Sequence, residues 1–549
     1  MTESFNNGVV LCECHGHITE RLPLDEICQF LEQQRSDVKV ALADDLCQSG
    51  TLPQFVDGQE LRPWVVGACE ELKHKRHFWH EAKGLGCDTY SLRIVDLLRE
   101  TRSSLGATAI AERAKLLLWA QVARRSEFQG VRQDKLRLHL SSPEGKMSRR
   151  DLLMLALPRY EVVPFIEPER CRGQQGCRIC VDTCPVKALK VEADKVVIDT
   201  AICNGCGVCT HTCPQRAIVY PAFSLEELDK ELEGLLLPKD VALQSRIIAA
   251  VCQRCLAAPG VELPTYPPNV LPVKVPCLAL VSPWLILRAF DLGTQGFALV
   301  SGRGKCRCGF DSSQWQDKVR FVKGLLECWN IGPERVRVFE VETDTTRSVE
   351  GELSQFAEEI TRLKPTPLGS DTAPLTPEGW PLPGLIKHMG NRLNNSPGGI
   401  VSVGAVPFGK VELDASECSG CGVCALECTT EALTVLSIEA TGGYQLLFRH
   451  DCCIACGRCV EVCPERCLRF ERVLELDRMD GRPTVLFEDA ILRCYRCGSP
   501  VAPRAMIDKL QAKLSGSESP PSYLRLCPNC RIKSQFGLSS VAPEHAEAK

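Results

Sequence analysis

Cys203, Cys206, Cys209 and Cys213 follow one another as C-x2-C-x2-C-x3-C, with Pro214 after the last. Three thiolates on so short a loop can be aimed at one cubane iron–sulfur cluster, while the fourth leaves the loop with the proline. The pattern recurs. Cys171, Cys177, Cys180 and Cys184 repeat it with a first gap of five residues. Cys418, Cys421, Cys424 and Cys428 repeat it with Thr429 in place of proline, and Cys453, Cys456, Cys459 and Cys463 repeat it in full. Glycines in the gaps (Gly205, Gly420, Gly457) let the loops close tightly. These cysteines predict four [4Fe–4S] clusters.

The runs fall in pairs, in modules over residues 164–222 and 408–473. After each fourth cysteine a short helix is expected: "CPVKALKV", "CPQRAIVY", "CTTEALTV" and "CPERCLRF". Between the runs lie hairpin-like segments, "KVEADKVVID" and "LSIEATGGYQLLF". Together these predict two ferredoxin-like modules of pseudo-symmetric β-α-β form. In two-cluster ferredoxins the fourth thiolate ligates the other cluster. That crossing pairs Cys171, Cys177 and Cys180 with Cys213, and Cys203, Cys206 and Cys209 with Cys184. It likewise pairs Cys418, Cys421 and Cys424 with Cys463, and Cys453, Cys456 and Cys459 with Cys428.

A second design places cysteines after apolar runs. "GVVL" (8–11) leads to Cys12 and Cys14, "VKVALA" (38–43) to Cys47, and "PWVVGA" (63–68) to Cys69, with the helical "LDEICQFLEQQ" between the first two. Strands alternating with helices predict a parallel α/β sheet over residues 1–100. Open sheets of that kind bind ligands at the carboxyl ends of their strands. Cys12, Cys14, Cys47 and Cys69 are therefore expected to converge on a fifth [4Fe–4S] cluster. Residues 240–345 repeat the logic. "SRIIAAV" runs into Cys252 and Cys255, "VLPVKVP" into Cys277, and "GFALVSG" toward Cys306 and Cys308, with "VRVFEVE" as a further strand.

Cys494-x2-Cys497 and Cys527-x2-Cys530 flank the helical "PRAMIDKLQAKL" and predict a zinc-knuckle-like segment over 488–532. The same ligand set could hold an iron–sulfur centre instead. Cys28 and Cys328 are expected in helix cores. Residues 101–163 read as a helical connector, and the Pro/Gly-rich 364–400 as a hinge or linker. The fold class expected is thus multidomain α/β and α+β: two ferredoxin-like dicluster modules, two small parallel α/β domains and the C-terminal segment.

The stretch "AAVCQRCLAAPGVELPTYPPNVLPVKVPC…RAFDLGTQGFALVSGRGKCRCG" resembles the delta subunit of methyl-viologen-reducing hydrogenases, an electron-transfer module. The resemblance implies a [2Fe–2S] cluster held by Cys252, Cys255, Cys277 and Cys306, with Cys308 as the alternative fourth ligand. The family often has a further cysteine where this chain has Ser301-Gly302. Residues 1–100, through "VVLCECHGHI…LADDLC…VVGAC", resemble the N-terminal domain of the A component of heterodisulfide reductase. That component carries an FAD domain marked by G-x-G-x-x-G. Neither "GLGCDTY" nor "GRGKCRCG" fits that spacing, so no flavin is expected here.

Composition narrows the field. The 34 cysteines cluster, with cysteine-free stretches at 88–170 and 329–417, which argues for metal rather than a disulfide scaffold. A net charge of −4 lacks the basic excess of a nucleic-acid binder. No apolar run approaches the ~18 residues of a membrane span, and a cytoplasmic location is expected. No acid–base pair, nucleophile or phosphate loop is evident. The resemblances therefore imply an electron relay between partner subunits of a hydrogenase, formate dehydrogenase or heterodisulfide reductase type of complex. The alternatives are a cluster-based catalytic reductase and a redox-sensing or assembly scaffold.

Overall fold

The computed structural model describes residues 6–48, 52, 61–69, 71–84, 91–100, 106–128, 136–139, 159–173, 177–193, 195–253, 265–302, 312–341, 346–369, 372–374, 379–393, 399–403, 406–438, 442–514 and 522–536. It is a mixed α/β structure that divides into two units. The larger comprises residues 1–174, 178–397 and 403–405; the smaller comprises 175–177, 398–402 and 406–549.

In the larger unit, aliphatic and β-branched runs become two parallel sheets. The first orders β1 (Asn6–Cys12), β2 (Val38–Ala43), β3 (Leu61–Ala68) and β4 (Arg93–Asp96) as β2-β1-β3-β4, with Cys12 opposite Ala43. Helix α1 (Leu24–Gln34) joins β1 to β2 and buries Leu24, Ile27, Phe30 and Leu31. After β3 follows α2 (Glu71–Gly84). The chain leaves β1 first to one side and then to the other, so a crevice opens at its carboxyl end.

Residues 101–163 are described only over 106–128, 136–139 and 159–163. Helix α3 (Ala107–Ser126) is largely buried and is followed by the antiparallel pair β5 (Leu136–His139) and β6 (Arg159–Val162).

The two ferredoxin-like modules share one plan. In the larger unit β7 (Phe165–Ile166) pairs with β10 (Ile218–Val219), and β8 (Leu189–Glu192) forms a hairpin with β9 (Lys195–Ile198). Single-turn helices α4 (Ile179–Thr183) and α5 (Val208–Thr212) carry the third cysteines. Helix α6 (Leu225–Leu236) follows and packs along α3, where Gly234 lies against the Ala120 backbone.

The second parallel sheet repeats the reversal of the first. β11 (Ile247–Cys252), β12 (Val270–Val275), β13 (Gly296–Gly302) and β14 (Val336–Val341) lie in the order β12-β11-β13-β14. Helix α7 (Pro283–Asp291) joins β12 to β13, α8 (Ser312–Cys328) precedes β14, and α9 (Thr346–Arg362) follows it. Every residue of β11 is buried, as a central parallel strand covered on both faces must be. Arg113 of α3, fully buried, donates to the carbonyls of Pro267 at 2.7 Å and Val270 at 2.6 Å, tying that helix to the start of β12.

The stretch 364–400 is docked in its described part. Ala373 exchanges hydrogen bonds with Arg288 and Asp291, and α10 (Pro381–Arg392) buries Leu385, Ile386 and Met389.

In the smaller unit β15 (Ile400–Val401) pairs with β20 (Leu474–Glu475), and β16 (Gly409–Leu413) with β19 (Leu468–Arg472). β17 (Leu433–Ile438) forms a hairpin with β18 (Gly443–Phe448), and all these pairs are antiparallel. Here the sheet continues. β21 (Thr484–Arg493) adds to β18, and β22 (Pro500–Pro503) to β21, so the C-terminal cysteine segment is joined to the module instead of standing apart.

Candidate iron–sulfur and metal sites

Backbone geometry shapes each ferredoxin-like loop. Gly205, Gly420 and Ala455 all adopt positive φ, and so do Gly207, Gly422 and Gly457 ahead of the third-cysteine helices. The turned backbone aims N–H groups at sulfur: Gly205 N–H donates to Cys203 Sγ and Gly420 N–H to Cys418 Sγ, each at 3.4 Å. Such bonds favour thiolate over thiol, the form that ligates iron. The first run differs, since Arg178 stands where the others have glycine and its φ is −128°.

In the larger unit Cys180, Cys184 and Cys209 are buried together, with Cys171, Cys203 and Cys213 packed against them. Cys209 sits among Cys206, Cys203, Cys180 and Cys184; burial first and these neighbours second push its thiol well up. Cys177 is half-buried and follows residues 174–176, which lie outside the described residues. In the smaller unit Cys424 neighbours Cys421, Cys418, Cys459 and Cys463, and Cys453 neighbours Cys428 and Cys456. Burial, then these neighbours, push both thiols up to about 12. Cys428 and Cys463 thus lie beside the opposite triads, the arrangement that crossed ligation needs. Thiols this crowded resist ionising side by side, and metal cations supply the charge that reverses that preference. The donor sets fit iron–sulfur clusters.

The N-terminal sheet brings four scattered cysteines to the crevice at the end of β1. Cys14 and Cys69 lie with their sulfurs 3.5 Å apart, Cys12 neighbours both, and Cys47 neighbours Cys12 and Cys14. Burial and the Cys69 thiol push Cys14 up to about 12. In the second sheet Cys252 ends β11, and Cys277 lies two residues past β12, both buried. Cys255, Cys306 and Cys308 lie outside the described residues.

A contact that spacing could not reveal joins the first ferredoxin-like module to this second sheet. Lys318, on α8, places Nζ 2.8 Å from His211 Nε2 and donates to the Ala279 carbonyl at 3.1 Å. The Cys206 and Cys277 thiols both lie near it. Burial pulls the ammonium down to about 8, and the two thiol groups pull it back up. His211 is held neutral by burial and by Lys318 itself, so the lysine donates and the imidazole accepts. Beside them Leu280 packs against Gly207, whose φ of +78° and lack of a side chain permit the approach.

Among the described residues, Cys494, Cys497, Cys527 and Cys530 place their sulfurs within 4.8 Å of one another, with Cys497 and Cys527 at 3.5 Å. Four thiolates about 2.3 Å from one tetrahedral zinc stand about 3.8 Å apart. Cubane ligands, each on its own iron, spread further. Burial raises the Cys494 thiol, but backbone N–H groups of Cys527, Arg496 and Cys497 outweigh it and bring it to about 6. These four sulfurs fit a single ion.

Residues 247–364 match the family described as "Methyl-viologen-reducing hydrogenase, delta subunit", and residues 195–258 match a 4Fe-4S dicluster domain. This is an iron–sulfur protein. It is 26% identical to the A component of the ferredoxin:CoB-CoM heterodisulfide reductase of Methanosarcina mazei over 212 residues, 38% of this chain. The match spans only 26% of that relative's length. It is 27% identical to the vhu iron–sulfur component of the F420-non-reducing hydrogenase of Methanocaldococcus jannaschii over 111 residues, 20% of this chain and 82% of the relative. The corresponding component from Methanococcus maripaludis is 25% identical over the same length. The resemblance to a fusion of these parts, with [4Fe–4S] modules, holds.

Proposed function

We propose that this chain is a multi-cluster electron relay between partner subunits of a redox complex of the hydrogenase, formate dehydrogenase or heterodisulfide reductase type, working in the cytoplasm. No described helix is long and apolar enough to cross a membrane. The observation that carries the reading is Lys318, which contacts His211 beside one cysteine run and the Ala279 carbonyl beside Cys277 and has both Cys206 and Cys277 near it. Sites so close permit electrons to pass between them within the chain.

On this reading the four cysteine runs hold four [4Fe–4S] clusters with crossed fourth ligands. Cys12, Cys14, Cys47 and Cys69 hold a fifth. Cys252, Cys255, Cys277 and Cys306 or Cys308 hold a [2Fe–2S] cluster, and Cys494, Cys497, Cys527 and Cys530 hold structural zinc. Iron–sulfur clusters supply one-electron storage when bound. The chain's own residues fix the thiolates, exclude water and set the surrounding charge, and no flavin is required.

A reductive titration of the anaerobic protein, followed by electron paramagnetic resonance, tests this. Uptake of about six one-electron equivalents per chain, one per cluster, is the expected result. Uptake dominated by a two-electron step with flavin bleaching would overturn it.

A further inference from the structure

The four cysteine runs end alike, and the exception is informative. After each fourth cysteine the chain forms a turn in place of the expected short helix: two residues, then one with positive φ, then a small buried one. The pairs are Lys187 (φ 55°) and Ala188, Arg216 (φ 50°) and Ala217, Glu431 (φ 57°) and Ala432, and Arg466 (φ 51°) and Cys467. The alanines are at most 2% exposed. Their N–H groups donate to the fourth cysteine's sulfur in the first two runs, at 3.3 Å for Ala188 and 3.4 Å for Ala217. The position therefore lies against the cluster site and admits only a small side chain.

In the last run that position carries a thiol. Cys467 is buried, its sulfur is 3.6 Å from Cys463 Sγ, and Cys418 neighbours it as well. One cavity is lined by Cys418, Cys421, Cys424, Cys463 and Cys467. Five thiols therefore line this one site. A cubane needs one thiolate per iron, so one of the five is surplus.

We propose that Cys467 is a reserve ligand of this site, able to hold iron in place of Cys463. The proposal rests on the reading that the site holds a [4Fe–4S] cluster. The two thiols stand at the two ends of one five-residue turn, with their sulfurs 3.6 Å apart and both lining the same cavity. The Arg466 turn keeps both on the same side of the cavity.

The test compares anaerobic holoprotein of the wild type with Cys463→Ala, Cys467→Ala and the double variant, reading iron per chain and the low-temperature paramagnetic spectrum. Cys467→Ala restores the residue that the other three runs have, so the fold tolerates it. Both single variants are expected to keep the wild-type iron, with Cys463→Ala showing altered g-values, while the double variant loses about four irons. Loss of about four irons from Cys463→Ala alone, with zinc and the remaining signals intact, would overturn the proposal. Equal iron in all four proteins would show instead that the site holds no cluster, which is failure of the underlying reading.

Discussion

Lys318 Nζ lies 2.8 Å from His211 Nε2, and this contact ties the first ferredoxin-like module to the delta-subunit-like sheet. His211 stands between Cys209 and Cys213 in sequence, and Ala279, the other acceptor for Lys318, follows Cys277 by two residues. A buried cation held at such a junction favours whichever state carries more negative charge. For clusters that is the reduced state.

Replacing the cation should therefore lower potentials locally. Lys318→Met is predicted to make the clusters at Cys206 and Cys277 harder to reduce, on the order of tens of millivolts, where about 59 mV is a tenfold change for one electron. Potentiometric titration read by paramagnetic resonance checks this. The signals of the module at 408–473 serve as the internal reference, and unchanged potentials at both junction sites would contradict the role given to Lys318.

Arg288 should matter for stability instead. Its guanidinium, 2% exposed in the side chain, reaches Asp229 on α6 at 2.6 Å and Asp291 on its own helix α7 at 2.8 Å. Arg288→Met leaves those carboxylates buried without it, and breaking a buried pair on one side costs roughly 3–5 kcal/mol. A markedly earlier thermal transition of the larger unit is expected, and Arg288→Lys should recover part of the loss.

Gly234 sets a contest between two effects. In an open helix, Gly→Ala gains about 1 kcal/mol of propensity. Here the added Cβ would meet Ala120 Cα at 2.6 Å and its N at 3.1 Å, and overpacking costs about 1–3 kcal/mol. The clash involves backbone, which cannot swing aside, so Gly234→Ala is predicted to lower the melting temperature. A higher melting temperature would mean that α3 and α6 separate freely.

The C-terminal site should be independent of the iron. Cys530→Ala is predicted to abolish zinc while leaving iron per chain unchanged, as determined by elemental analysis. Loss of iron with no change in zinc would place an iron centre at these four sulfurs.

Much of this architecture was legible in the residues. Apolar runs at 8–11, 38–43 and 63–68 mark β1, β2 and β3, and "LDEICQFLEQQ" is α1 residue for residue. The rule that ligands gather at strand carboxyl ends brings together Cys12, Cys14, Cys47 and Cys69, whose sequence spacing alone carries no signature. Other features depend on partners distant in the chain. Nothing about Lys318 separates it from other helix lysines until α8 is packed against the ferredoxin-like loop. Residues 484–493 alternate weakly, because β21 gains its place by extending the β17–β18 sheet and buries little of its own. The proline-rich 364–400 reads as a linker by composition, yet Arg288 and Asp291 anchor it at Ala373. The offset that sets Cys467 against Ala188, Ala217 and Ala432 is already in the sequence, but its burial beside Cys463 shows only in the structure.

The decisive measurement is iron, sulfide, zinc and flavin per chain in anaerobically purified protein. The account predicts about 22 irons with one zinc and no flavin, the sum for five cubanes and one [2Fe–2S] centre. About 16 irons would mean that the strand-end cysteines hold no clusters, and stoichiometric flavin would place two-electron chemistry within the chain; either result contradicts the relay described here.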